Sequence, residues 1–464
     1  MATTDITGHL ARYMVAARHR SLPPEVSKAA KLRILDTLGA IISGARLKPG
    51  QMAIQYVHSQ GGIPEASILA TDIRTSSVNA ALANGMFGHA DETDDLEQVT
   101  AAHPGCAVVP AALAMMEREG SSGEELIRAV ALGYDLCCRF LFSLGPDLVR
   151  EGHRSPQGVS STIGSAATAA SLAKLDQSGM RYILSYAAQQ VSGVWSWRRD
   201  PEHVEKAFDI GGMGARNGVA AATMVQAGFT GVWNVFDGEH NVLDAHSPSP
   251  QPEEMIKDLG SRFFLTETAM KAYPVGGPIQ AALGAFFVLH RQHGLTVDNV
   301  EHIMVRIPEE GFGNVNNSAM PDVNCQHMIA VALVDGIVNF ASSHSYERMS
   351  DPAVLAAKER VELIGDPNLA DSENPRSAWV EVVLKDGQTL SHFTPQPLGS
   401  WQNPMSIEDV NTKARDLLEP VLGTTRTEAV IREVNDLESM ANIQELLPSL
   451  TLNSEEMASV SPAH

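Results

Sequence analysis

The sequence predicts a mainly α protein with an α/β second domain: a large helical domain interrupted by a smaller α/β unit. Three observations carry that prediction. Apolar residues recur at helical spacing through the first two-thirds of the chain. The texture changes around residues 265–275, after which 300–307 (VEHIMVRI) alternates like a strand. Ala378–Leu384, then Lys385-Asp386-Gly387, then 388–393, reads as a hairpin with an Asp-Gly turn. From Ser406 (SIEDVNTKARDLLEPVL) the helical pattern returns, so the C-terminal segment is able to rejoin the first domain and leave the α/β unit as an insertion.

Taken in order, Ile6, Leu10, Tyr13, Met14 and Ala17 form the apolar stripe of a first helix. Pro23-Pro24 opens a second over 26–43, with Ala29, Leu32, Leu35, Leu38 and Ile41 on one side. A third helix covers 77–88, and another runs over 107–119 and stops at Gly120. Ser121-Ser122-Gly123-Glu124 has the spacing of a capping box ahead of a long apolar helix through Cys138. The stretch 162–175 (TIGSAATAASLAKL) is built from small residues and predicts a helix whose backbone packs close to a neighbour. Helical spacing continues over 182–194 and 211–227, and inside the α/β unit over 326–340 and 352–361. No fixed-period repeat and no dinucleotide or P-loop glycine pattern interrupts this order.

Composition narrows the class of function. A chain of 464 residues suffices for two to three domains and a large core. With 44% hydrophobic and 19% charged residues it is globular. A formal net charge of -21 argues against nucleic acid or an anionic membrane as partner, but is compatible with a small anion where a few Lys and Arg converge. The four cysteines form no C-x-x-C pair, which argues against a thiolate metal centre and for a reducing compartment. The N-terminal stretch lacks the unbroken apolar core of a signal peptide, and no run of 18 apolar residues occurs. A soluble, cytoplasmic protein is expected.

The densest chemistry lies in 84–110 (NGMFGHADETDDLEQVTAAHPGCAVVP). His89, Asp91, Glu92, Asp94, Asp95, Glu97 and His103 fall between two Ala-rich helical segments. Carboxylates this close repel one another, so one pKa rises unless cations from elsewhere compensate. Pro104 keeps His103 on the loop just ahead of a helix, whose N-terminus beside a histidine is suited to a carboxylate ligand. A metal is the other reading of His89, Asp91, Asp94, Asp95 and His103. No second spaced pair such as E-x-x-H accompanies them, and no metal is expected.

These residues also carry a family resemblance. NGMFGHADETDD with AAHPGCAVVPAALA, EGHRSPQGVSSTIGSAATAASLAKL, EKAFDIGGMGARNGVAAA and MKAYPVGGPIQAAL, trailed by NCQHMIAVALVDG, occur in the order and spacing of the MmgE/PrpD superfamily. The resemblance covers roughly residues 5–440. Its members include 2-methylcitrate dehydratase, cis-aconitate decarboxylase and iminodisuccinate epimerase. It implies a helical domain from both chain ends (1–267 with 400–464), an inserted α/β lid (268–399), a homodimer, no cofactor, and an active site between the domains.

Carried over, the resemblance implies Glu92, His103 and Lys271 as catalytic residues, with Lys206, His153 and Asp94 binding substrate. Two departures stand out. Glu92 occupies a position where many relatives have Asp, with Leu96 in place of a hydroxyl; and His153 aligns only with a short insertion. The family reactions share proton movement at a carbon next to a carboxylate, which needs a base and cations for the developing enediolate. Lys271, ahead of Pro274 and Gly276-Gly277, suits a base or acid of lowered pKa, and Lys206 a carboxylate ligand. The implied function is a cofactor-independent lyase dehydrating or hydrating a small hydroxylated di- or tricarboxylate. Epimerisation of an imino-dicarboxylate, then decarboxylation, are the alternatives; a non-catalytic scaffold is the non-enzyme one. Trp195, Trp197, Arg198 and Arg199 (WSWRR), just before Lys206, read as the lining of a substrate mouth or as surface packing.

Overall fold

The computed structural model describes residues 5–369 and 375–459. It is a mainly α protein with a small mixed sheet, and its chain divides into two compact units. The first comprises the residues up to Ala90, Asp94–Thr268 and the chain from Leu417 on; the second comprises Ala269–Asp416 together with the tripeptide Asp91–Thr93. The first exit therefore falls one residue after the expected 267/268 division. The return falls later than the expected 399/400, inside the Ile407–Leu422 helix. Nothing in the local pattern marks that point, because the helix runs through it unbroken.

The helical unit has at its centre the helices Gly105–Glu119, Gly123–Leu144, Pro156–Leu172 and Met213–Gln226. Small residues set how closely they approach. A Cβ on Gly133 would sit 1.9 Å from Thr168 Oγ1, and one on Gly164 2.7 Å from the Gly133 carbonyl, so two backbones touch where the Ala-rich sequence predicts close packing. The capping box that opens the Gly123–Leu144 helix is made by Ser122 and Glu125, one residue beyond the expected pair. Charge inside this helix is satisfied locally: Arg139 Nε lies 2.9 Å from Asp135 Oδ2, which also accepts from the Tyr13 hydroxyl at 2.9 Å. The Lys48–Gln60 helix was not expected, since only Pro49, Gly50, Ala53 and Val57 of its residues are buried and its apolar stripe is correspondingly thin.

The second unit holds a four-stranded sheet in the order 361–366, 300–308, 378–384, 389–394. The first pair is parallel and the other two are antiparallel. The expected hairpin is present, with Gly387 at φ 89 in its turn. The helix expected over 352–361 ends at Lys358, and Val361, its expected last residue, opens the parallel strand Val361–Asp366, which was not expected. Its alternating Val361 and Leu363 join Ile303, Val305, Val380, Val382, Phe286 and Met328 in the core of this unit. No helix among the described residues is long and apolar enough to cross a membrane.

Candidate active site

The acidic loop resolves into distinct jobs, one carboxylate at a time. Glu97 folds back on its own turn, accepting from the backbone and hydroxyl of Thr100 at 2.7 and 2.6 Å. Asp95 Oδ1 accepts the Gly105 N–H at 2.9 Å, closing the loop onto the first turn of the Gly105–Glu119 helix. A Cβ at Gly105 would meet Asp95, the Tyr134 hydroxyl and Thr37 Oγ1 within 2.8 Å, so that approach requires glycine. Burial pushes the Asp95 carboxyl up to about 6, against the pull of buried Arg33. The expected rise in one acid of the cluster thus falls on Asp95, with burial and not crowding as its main cause. One N–H of the helix start expected to suit a ligand carboxylate, that of Gly105, is taken by Asp95 itself.

Asp94, fully buried, holds two histidines. His103 Nδ1 is 2.8 Å from its Oδ2, and His89 Nδ1 is 3.0 Å from both of its oxygens. An ionised carboxylate only accepts, so each ring donates from Nδ1, and a neutral ring then carries its lone pair on Nε2. The His103 side chain keeps 10% of its surface exposed while that of His89 keeps none, so His103 is the member able to reach a ligand. Burial lowers the His89 pKa well below the usual histidine range, and nearby Lys206 and His103 add to this. His203 stacks on His89 at 5.3 Å and donates its Nε2–H to the His89 carbonyl at 3.0 Å. Donor atoms of His89, Asp94 and His103 lie within 4.8 Å of one another, so these three are able to take a cation together. Lys206, half-buried, holds its ammonium 5.2 Å from the Trp197 ring centroid.

In the second unit the tripeptide Asp91–Thr93 is gripped by its backbone. Three successive carbonyls accept from three side chains: Asp91 from His344 Nε2 at 3.1 Å, Glu92 from Lys271 Nζ at 2.6 Å, and Thr93 from Lys413 Nζ at 2.7 Å. All three donors are buried. Lys271 Nζ also lies 3.5 Å from Glu92 Oε2, so the acid and the lysine expected from sequence meet directly. Glu92 sits at φ 57, a left-handed conformation that costs a non-glycine residue about 1 kcal/mol or more and needs such a grip to persist.

Two expected ligands stand elsewhere. Asp94 has both oxygens engaged by histidines, and a buried carboxylate repels a carboxylate substrate, so its geometry suits orienting His103 and not binding a ligand. The His153 side chain is exposed in the turn before the Pro156–Leu172 helix, where its carbonyl accepts the Trp195 N–H at 3.1 Å. It belongs to neither cluster.

Family comparison agrees with this arrangement of segments. The MmgE/PrpD N-terminal domain matches residues 8–255 and the MmgE/PrpD C-terminal domain residues 273–439. The chain belongs to the MmgE/PrpD family. Human cis-aconitate decarboxylase is 27% identical over 100% of this chain and 98% of its own length. A cis-aconitate decarboxylase-like protein of Aspergillus oryzae is 23% identical over 96% of both chains. A 2-methylcitrate dehydratase-like protein of the same organism is 22% identical over 90% of both.

Three buried residues of this MmgE/PrpD chain were not anticipated. His203 stands three residues before Lys206 inside a matching region, and that proximity was a usable signal. Lys413 falls on the buried stripe of its helix between Val410 and Leu417, and a lysine on an apolar stripe is also a signal. His344 has none, because only the tertiary fold brings it to Asp91.

Proposed function

We propose that the protein is an MmgE/PrpD lyase acting on a small di- or tricarboxylate through proton transfer at a carbon next to a carboxylate. The carrying observation is the His103–Asp94 pair at 2.8 Å, which gives a partly exposed imidazole a fixed tautomer and a counter-charge for its protonated form. His103 Nε2 is the acid–base atom. Lys271 and Lys206 supply positive charge for the substrate carboxylates and the enediolate that forms on them. Glu92 orients Lys271 and serves as the second acid–base group.

Two lyase outcomes are open to the same residues. In dehydration, neutral His103 takes the α-proton and the hydroxyl leaves as water with a proton from Glu92. In decarboxylation of an unsaturated tricarboxylate, protonated His103 delivers its proton to the alkene carbon. The electron pair of the C–CO₂ bond then becomes the new double bond, and CO₂ departs. The full-length relatives named cis-aconitate decarboxylase favour decarboxylation as the first reading, ahead of the dehydration expected from sequence. The resemblance further implies a homodimer that needs no cofactor, which sedimentation and activity after chelation check.

Proton NMR in deuterated water, with a panel including cis-aconitate, 2-methylcitrate and imino-diacids, tests the reading. New vinyl protons on a product one carboxylate shorter, with one deuterium on its methylene, support decarboxylation. Loss of an α-proton with a vinyl product that keeps every carboxylate moves the assignment to dehydration. Exchange with appearance of only the opposite stereoisomer overturns the lyase in favour of an epimerase. No exchange on any member, together with no ligand-induced rise in Tm, overturns the enzyme.

A further inference from the structure

A second buried group of polar side chains lies behind Lys206. The Trp197 indole N–H donates to Ser155 Oγ at 3.1 Å, and the Ser155 hydroxyl in turn donates to Asp209 Oδ2. Ser155 also caps the Pro156–Leu172 helix, accepting the Gly158 N–H at 3.2 Å. Trp197 is 8% and Asp209 6% exposed, so an apolar core there would avoid the cost of burying a carboxyl group. Space for that carboxyl is kept by two glycines: a Cβ on Gly158 would stand 2.8 Å from Asp209 Oδ1, and one on Gly193, at φ 138, 2.9 Å from it.

Lys206 and Asp209 are three residues apart on one continuous stretch, the Val204–Ala207 helix running into a π-helical turn at Phe208–Gly212. Such turns recur at functional sites. The Lys206 ammonium lies over the outer face of the indole whose N–H is tied to this group. A lysine stem samples many rotamers, and an aromatic plate that is itself hydrogen-bonded removes part of that freedom before a ligand arrives.

We propose that Trp197, held by Ser155 and Asp209, is a positioning residue that sets Lys206 for a substrate carboxylate. This rests on the reading that Lys206 binds that carboxylate. Burial, with Glu205 adding, raises Asp209 to about 7, and the support survives either protonation state. With Asp209 ionised, Ser155 donates to it. With Asp209 protonated at Oδ1, Oδ2 still accepts from Ser155. Both lone pairs of Ser155 Oγ stay with the Trp197 and Gly158 N–H groups in either state.

Calorimetric titration of the full chain with cis-aconitate tests this as a double-mutant cycle. Lys206→Met is expected to weaken binding at least tenfold. Asp209→Leu, which removes the acceptor of Ser155, and Trp197→Leu are each expected to weaken it three- to tenfold, and to change Kd less than twofold in the Lys206→Met background. Ser155→Thr, which keeps the hydroxyl, restores most of the affinity lost in Ser155→Ala. If Asp209→Leu fails to fold, Trp197→Phe keeps an aromatic plate without the N–H and is expected to show the same coupling. Wild-type affinity in Lys206→Met, or no cis-aconitate binding by wild type, overturns the Lys206 reading and this inference with it. A tenfold loss in Lys206→Met with additive effects of the other variants leaves that reading standing and overturns the positioning role.

Discussion

Asp94 Oδ2 stands 2.8 Å from His103 Nδ1 and, by accepting there, decides which nitrogen of His103 faces a ligand. Asp94→Asn leaves the shape nearly unchanged, but its amide N–H₂ is able to meet a ring nitrogen and favour the opposite tautomer. We expect kcat to fall by about 10²–10⁴ in Asp94→Asn and by a similar factor in His103→Gln, with KM little changed in either. Because the two act as a unit, the double variant is expected to be no worse than the poorer single one. Multiplicative losses in steady-state kinetics would show that they act separately.

Lys271 is 1% exposed and donates to the Glu92 carbonyl at 2.6 Å. Lys271→Met fills similar volume but strips that buried carbonyl of a donor and leaves the Glu92 carboxylate without its cation. The expected cost is about 1–3 kcal/mol in urea unfolding, together with a loss of activity larger than that instability explains. A variant as stable and active as wild type would remove Lys271 from both roles.

Glu92 at φ 57 separates backbone from side-chain effects. Ala and Gly both delete the carboxylate, but only Gly adopts a left-handed conformation without a steric cost. Glu92→Gly is therefore expected to be more stable than Glu92→Ala by about 1 kcal/mol, while both lose activity alike. Equal stabilities would mean that the loop relaxes away from this conformation once the carboxylate is gone.

Much of this was legible in the chain. The helical stripes, the Asp-Gly hairpin and the residues of the 84–110 stretch all carry local patterns, and local patterns survive into the fold. The Asp91–Thr93 grip was not legible, because its acceptors are main-chain carbonyls, which every residue has. Of its donors, Lys271 was singled out through the family resemblance, Lys413 only broke an apolar stripe, and His344 carried no mark at all. For Asp94 the sequence leaves substrate binding and the orienting of His103 both open, because it shows an acid near two histidines but not that both rings turn their Nδ1 atoms to it. His153 is the converse case, a residue of the expected type, beside a matching segment, whose side chain is exposed.

Asp209 offers a prediction in which stability and function pull apart. Its carboxyl is raised from an ordinary 3.8 to about 7, chiefly by burial. Below about pH 4 both the folded and unfolded chains hold this proton, and its contribution to stability is at its greatest. As pH rises from about 4 to 7 the unfolded chain releases the proton while the folded chain keeps it, so stability falls across that window and levels off above it. Asn mimics the protonated carboxyl and does not titrate. Asp209→Asn should therefore match wild type near pH 4 and exceed it by on the order of 2–4 kcal/mol at pH 8, measured by urea unfolding at each pH. A difference that stays flat from pH 4 to 8 would show that Asp209 is not raised in the folded protein. Because Asn keeps an acceptor for Ser155, the variant is expected to bind the carboxylate within about twofold of wild type, which separates the cost of the buried charge from the positioning role.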